Sequence, residues 1–251
     1  MGLRRKIKKF LYNLQYPKNN FIIDLNKKKF LITGSNSGIG LSLAKKILEQ
    51  DNQVFATYRE KSDKLDEIKN ANLFKIKCDQ SKTEDYISLE NKLKNVNIDI
   101  IINCAGIFGP SFKDQEIENI SLEKFRDAIM VNSLSIIKIS QIILKNSKPQ
   151  IILNLSSDAG SISLNKSGDA YIYRTSKSAL NSITKNMSID LKKKYGTIVL
   201  AIDPGNVQSG MNSKGYMESD KCANMILDII SNNVEEFNGK FINLSKNELS
   251  W

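Results

Sequence analysis

Apolar residues along this chain fall into two alternating spacings. Short, nearly continuous runs occupy 30–33, 54–58, 74–77, 98–102, 150–155, 197–202 and 240–244. Runs of this length, rich in Ile, Val, Leu and Phe, predict strands buried on both faces. Between them the apolar positions recur every three or four residues, the period of a helix with one buried side. Leu43, Ala44, Ile47 and Leu48 follow the first run in this way, and 63–69, 83–93, 122–144 and about 219–231 repeat the pattern. A further helix is predicted over 170–194, with Ala179, Ile183, Met187 and Leu191 on one stripe. Strand and helix in strict alternation imply parallel strands joined by right-handed crossovers, an α/β doubly wound sheet of about seven strands with helices on both faces.

Length and charge refine this picture. At 251 residues the chain is long enough for one such domain. The net charge of +10 is concentrated at the start, where residues 1–29 hold nine Lys or Arg against the single acid Asp24. The expected organisation is therefore a basic leader, 1–28, and a single domain, 29–251. A nearly balanced body argues against nucleic acid as a partner. In the leader, Leu3, Ile7, Phe10, Leu11 and Leu14 share one helical stripe, and Arg4, Arg5, Lys6, Lys8 and Lys9 lie outside it. Such a helix over 3–16 suits peripheral contact with an anionic membrane, and packing on its own domain or on a partner explains the same pattern. No apolar run reaches transmembrane length and no secretory pattern follows the basic start, so the expected location is cytoplasmic, peripheral to the inner face of a membrane if the leader binds lipid. With no histidine and three dispersed cysteines, no metal site and no His-dependent triad is expected.

The first strand runs into Thr33-Gly34-Ser35-Asn36-Ser37-Gly38-Ile39-Gly40 and then a helix. Strand, glycine turn and helix place free N–H groups and the positive end of a helix dipole where a pyrophosphate can sit. The glycines are spaced Gly34-x-x-x-Gly38-x-Gly40, unlike the common G-x-G-x-x-G. In a doubly wound sheet the ligand lies beyond the strand C-termini, so the residues there are the cofactor candidates. The second strand ends in Tyr58-Arg59, with a guanidinium where an acid would bind ribose hydroxyls; this favours NADP(H) over NAD(H) through a 2′-phosphate. Asp79-Gln80 ends the third strand; Asp79 can accept the adenine amino group or cap the following helix. Asn103-Cys104-Ala105-Gly106 ends the fourth, with Asn103 expected to hold the turn and Ala105 and Gly106 to admit the cofactor. Pro204, Gly205, Val207 and Ser209 follow the sixth strand and could wall a nicotinamide pocket.

Tyr173 and Lys177 stand four apart on one helix face. An ammonium beside a phenol lowers its pKa from about 10, so that Tyr173 can trade a proton with a substrate oxygen. Ser157, just past a strand end, could hydrogen-bond the same oxygen, and Asn132 could anchor a water in a relay to Lys177. Taken together these residues resemble the short-chain dehydrogenase/reductases, whose motifs match the glycine turn, Asn103-Cys104-Ala105-Gly106, Pro204-Gly205 and the tetrad Asn132, Ser157, Tyr173 and Lys177. Ala56–Arg59, Tyr171–Lys177 and the final Leu249-Ser250-Trp251 are similar to the subgroup containing C-factor and sniffer-type carbonyl reductases. The resemblance spans about residue 28 to the end. It implies a Rossmann-like fold and hydride transfer between NADP(H) and a small-molecule carbonyl or alcohol, with Ser209 where a threonine often contacts the nicotinamide amide. It also implies a homo-oligomer built through 122–144 and 170–194, although burial against the sheet explains the same stripes. Ser157 precedes Tyr173 by a few residues more than is usual, so the loop between them must bulge. An NADPH-binding signalling or sensor protein with little turnover is the alternative reading.

Overall fold

The computed structural model describes residues 22–251; the leader helix expected over 3–16 lies outside them. Seven strands form one sheet, parallel throughout, in the order β3-β2-β1-β4-β5-β6-β7. They are β1 Lys29–Thr33, β2 Gln53–Tyr58, β3 Leu73–Lys77, β4 Ile100–Asn103, β5 Ile151–Leu155, β6 Ile198–Asp203 and β7 Phe241–Asn243. The helices are α1 Gly38–Leu48, α2 Asp63–Asp66, α3 Thr83–Leu93, α4 Leu122–Leu144, α5 Tyr171–Tyr195 and α6 Ser219–Ser231.

Alternation within each strand sorts its side chains between two cores. Phe30, Ile32, Ile100, Ile102, Leu153 and Leu200 face α1 and α6. Leu31, Ile101, Ile152 and Val199 face α3 and the second half of α4. A smaller cluster under α5 joins Ile136, Leu180, Ala201 and Phe241 to Leu249 and Trp251. α4 is long and apolar enough to cross a membrane by length and composition alone. Its Ile139, Ile142 and Ile143 are instead buried against the sheet.

Two elements differ from the periodic reading. The helix expected over 63–69 stops at Asp66, because the chain turns at Asn70, whose side chain accepts the Asn72 N–H, and delivers Leu73 into β3. The helix over 122–144 is not uniform: Met130–Leu134 is a π turn between two α-helical halves, Leu122–Ile129 and Ser135–Leu144. The loop between Ser157 and α5 does bulge. Arg174 pins it by donating to the Gly168 carbonyl and the Ser167 hydroxyl, both at 2.8 Å.

Residues 22–28 also pack on this body. Ile23 is buried in the α1/α6 core and donates its N–H to the Ser231 carbonyl.

Ile152 is fully buried in the middle of the sheet, whereas Ile87 on α3 is 64% exposed. Ile152→Ala should lower unfolding free energy in urea by about 2–5 kcal/mol, and Ile87→Ala by less than about 0.5 kcal/mol.

Candidate active site

The order β3-β2-β1-β4-β5-β6-β7 reverses direction between β1 and β4, and a crevice opens at their C-terminal ends. It has a volume of about 1270 Å³. The glycine turn forms one wall. Gly34 takes φ +68°, and a Cβ there would meet the Ala105 backbone at 2.8 Å. A Cβ on Gly40 would lie 2.5 Å from the Gly34 carbonyl oxygen. Only hydrogen fits at either place, so the turn closes tightly on itself and on the end of β4. Ser37, the residue before α1, makes no side-chain cap. The first N–H groups of α1 therefore have no partner within the helix and face the crevice, which fits a phosphate group.

Other predicted residues line the same space: Ser37, Gly38 and Ile39; Arg59; Asp79 and Gln80; Ala105 and Gly106; Pro204, Gly205, Val207 and Ser209; and Ser157, Tyr173 and Lys177. Three do not. Ser35 is buried and donates to the Ile32 carbonyl. Asn103 points under the crevice and donates to Asn154 Oδ1 at 2.8 Å, so it ties β4 to β5 instead of holding its own turn. That turn is held by Thr33, whose hydroxyl accepts the Ala105 N–H. Asn132 lies in the π turn. Its amide exchanges both bonds with the Ile107 backbone, at 2.8 and 2.9 Å, and donates to Ser176 Oγ. Asp79 does not cap α3, which begins after Lys82. Its carboxylate takes the Ser81 N–H and hydroxyl.

The reactive cluster is compact. Lys177 is 4% exposed, and its Nζ donates to the Leu155 carbonyl at 2.7 Å. Burial pulls its pKa down to about 8, opposed by the Asp203 carboxylate. Burial pushes the Tyr173 pKa up to about 12, with the Ser157 hydroxyl opposing the rise and Asp203 and Asp158 adding to it. Burial thus opposes the lowering expected from Lys177. The ammonium is turned to Leu155 and stands 5.8 Å from the Tyr173 ring centroid, so desolvation of the phenolate wins.

Several participants gave no motif signal. Asn36 spans from the glycine turn to the end of β2, accepting the Arg59 N–H at 3.1 Å and donating to the Glu60 carbonyl. Asp203 ends β6 with a partly buried carboxylate that accepts the Gly205 N–H at 3.0 Å; an acid two residues before a glycine turn was the local clue. Phe108 lies against Tyr173, with ring centroids 5.0 Å apart. Arg59 is largely exposed at the rim and pairs with Glu60 at 3.3 Å.

The model of the short chain dehydrogenase family matches residues 28–219. Carbonyl reductase Sniffer of Drosophila melanogaster superposes with a TM-score of 0.80 at 27% identity, over 90% of this chain and 100% of that one. An NADPH-bound carbonyl reductase from chicken fatty liver gives a TM-score of 0.78 at 28% identity with the same coverage. L-rhamnose 1-dehydrogenase (NADP(+)) of Thermoplasma acidophilum is 29% identical over 213 residues, 81% of this chain and 82% of that protein.

Gly40→Ala should displace the turn by forcing Cβ against the Gly34 carbonyl. The expected result, read by fluorescence titration, is at least a tenfold loss of nucleotide affinity.

Proposed function

The chain belongs to the short chain dehydrogenase family, and we propose that it is an NADP(H)-dependent oxidoreductase interconverting a carbonyl and an alcohol. The observation that carries the reading is the convergence of Ser157, Tyr173 and Lys177 on one crevice whose far wall is an uncapped, glycine-lined helix N-terminus. Gly34, Gly38 and Gly40 admit the pyrophosphate, and the α1 N–H groups bind it. Arg59 reads the 2′-phosphate, exchanging its pairing with Glu60 for a doubly charged oxyanion.

A bound nicotinamide ring supplies or takes up the hydride. Ser157 orients the substrate oxygen. Tyr173, with its pKa pushed up to about 12, keeps its proton throughout the neutral range and is set to donate it in the reducing direction. Hydride arrives at the carbonyl carbon and the phenol proton at its oxygen, which balances ketone or aldehyde to alcohol. Lys177 then faces a newly formed phenolate and stabilises it while it is cationic. Asn132 keeps Ile107 and Gly106 in place beside Lys177: a Cβ on Gly106 would lie 3.3 Å from Asn132 Oδ1 and 3.6 Å from Lys177 Nζ.

Titration with NADPH and NADH tests the cofactor reading. NADPH should bind more tightly, and Arg59→Ala should weaken NADPH about tenfold or more while leaving NADH within twofold. No binding of either nucleotide overturns the reading. Tight NADPH binding without its oxidation across a broad carbonyl panel favours the sensor alternative.

The chemical roles have their own test. Tyr173→Phe should lower kcat by about 10²–10⁴-fold at unchanged NADPH affinity. In the wild type, kcat/KM for reduction should fall with an inflection near pH 8. Lys177 is cationic below that pH and neutral above it, whereas Tyr173 remains protonated. Full turnover by Tyr173→Phe overturns the assignment.

A further inference from the structure

Gln115 lies in the connection between β4 and α4, yet its side chain is fully buried. Three backbone groups from two separate parts of the chain saturate its amide. Nε2 donates to the carbonyls of Phe108 at 3.2 Å and Pro110 at 3.0 Å. Oε1 accepts the backbone N–H of Tyr173 at 3.0 Å, across a separation of 58 residues.

That N–H belongs to the first turn of α5, where no intrahelical acceptor is available. The residue before the helix, Ala170, adopts φ 43° and offers no side-chain cap. The helix end that presents Tyr173 is thus capped from a distance. The segment held by the other half of the amide is in contact with the same turn. Phe108 packs on the Tyr173 ring, and a Cβ on Gly109 would already touch Ile172 at 3.5 Å. Phe108 and Phe112, whose rings are 4.8 Å apart, line the crevice beside Tyr173, away from the glycine turn.

We propose that Gln115 is a positioning residue that ties the alignment of Tyr173 to the conformation of the 108–110 segment, so that a carbonyl substrate packed against that segment bears directly on the proton donor. The proposal rests on the oxidoreductase reading above. It makes the substrate wall and the catalytic turn one unit, with a single primary amide as the link. An amide is the side chain suited to this task, since it offers two donors and one acceptor group in a fixed plane.

The test uses the full chain, NADPH and nitrobenzaldehyde as the probe, well below the melting transition of each variant. Gln115→Met keeps the length and removes the three bonds. It should lower kcat/KM for the aldehyde at least tenfold while NADPH affinity stays within twofold. Gln115→Glu keeps the acceptor for the Tyr173 N–H. As a neutral acid it can donate to one carbonyl, and as a carboxylate it repels both. Its kcat/KM relative to the wild type should therefore fall as pH rises, a dependence that glutamine cannot have. Taking the ratio to the wild type removes the pH dependence that the two proteins share.

Variants within twofold of the wild type overturn the proposal. So does a Gln115→Met protein that loses NADPH affinity as much as kcat/KM, and so does a Gln115→Glu profile parallel to the wild type. If Gln115→Met does not fold, the Gln115→Glu ratio decides. A wild type that oxidises no NADPH with any carbonyl overturns the oxidoreductase reading itself, whereas normal wild-type turnover with unaffected variants overturns the role of Gln115 alone.

Discussion

A lysine ammonium held almost entirely out of water is the constraint around which the crevice is arranged. Removing such a charge from solvent is expensive unless acceptors and counter-charges replace the lost hydration. Lys177 finds one acceptor in the Leu155 carbonyl at the end of β5, and a counter-charge in Asp203 at the end of the neighbouring β6. Both arrive because parallel strands all present their C-terminal ends on one side. The same geometry brings Ser157 past the end of β5 and the Pro204-Gly205 turn past the end of β6. The sheet thus delivers to one point the groups that make the buried charge tolerable.

Beneath that point runs a layer of buried polar side chains. Asn154 accepts from Asn103 on β4 and donates to Thr184 on α5. Ser156 donates to Asn181, which in turn donates to the Gly160 carbonyl. Ser133 donates to the Ser176 carbonyl while Asn132 donates to the Ser176 hydroxyl oxygen. Apart from the Asn103–Asn154 bond, which ties β4 to β5, these bonds join α5 to β5, to the residues past its end and to the π turn, and networks of this kind have little slack because every member is needed to satisfy the next. α5 is consequently fixed in rotation as well as in position, and that rotation decides where the Tyr173 and Lys177 side chains point.

Much of this was legible from spacing. The seven apolar runs fall on the seven strands within two residues; most of the strands are buried on both faces and leave no alternating pattern to misread, whereas the edge strand β3 is only partly buried. The glycine turn and the four-residue interval from Tyr173 to Lys177 were readable because one local element carries each. What escaped depends on partners distant in sequence. Asn103 is a plausible turn residue until Asn154 is placed opposite it. Gln115 looks like any polar loop residue, since the helix it caps begins more than fifty positions later. The direction of the Tyr173 shift depended on how far Lys177 turns away toward Leu155, which no spacing encodes. The π turn is silent for another reason: Met130, Val131 and Leu134 keep it apolar, as Ile136 and Ile137 keep the turn that follows it.

That π turn has a consequence for how such a chain can diverge. A π turn holds one residue more than the α-helical path it replaces, so the two halves of α4 differ in phase by roughly 100°. The first half can therefore direct Asp127 to the crevice, while the second half independently seats Ile139, Ile142 and Ile143 on the sheet. Loss of a single codon within Met130–Leu134 would restore a regular helix and swing one half against the other. In evolutionary terms, the hydrophobic core and the Asn132 clamp are separated by a reading-frame-preserving change of three nucleotides.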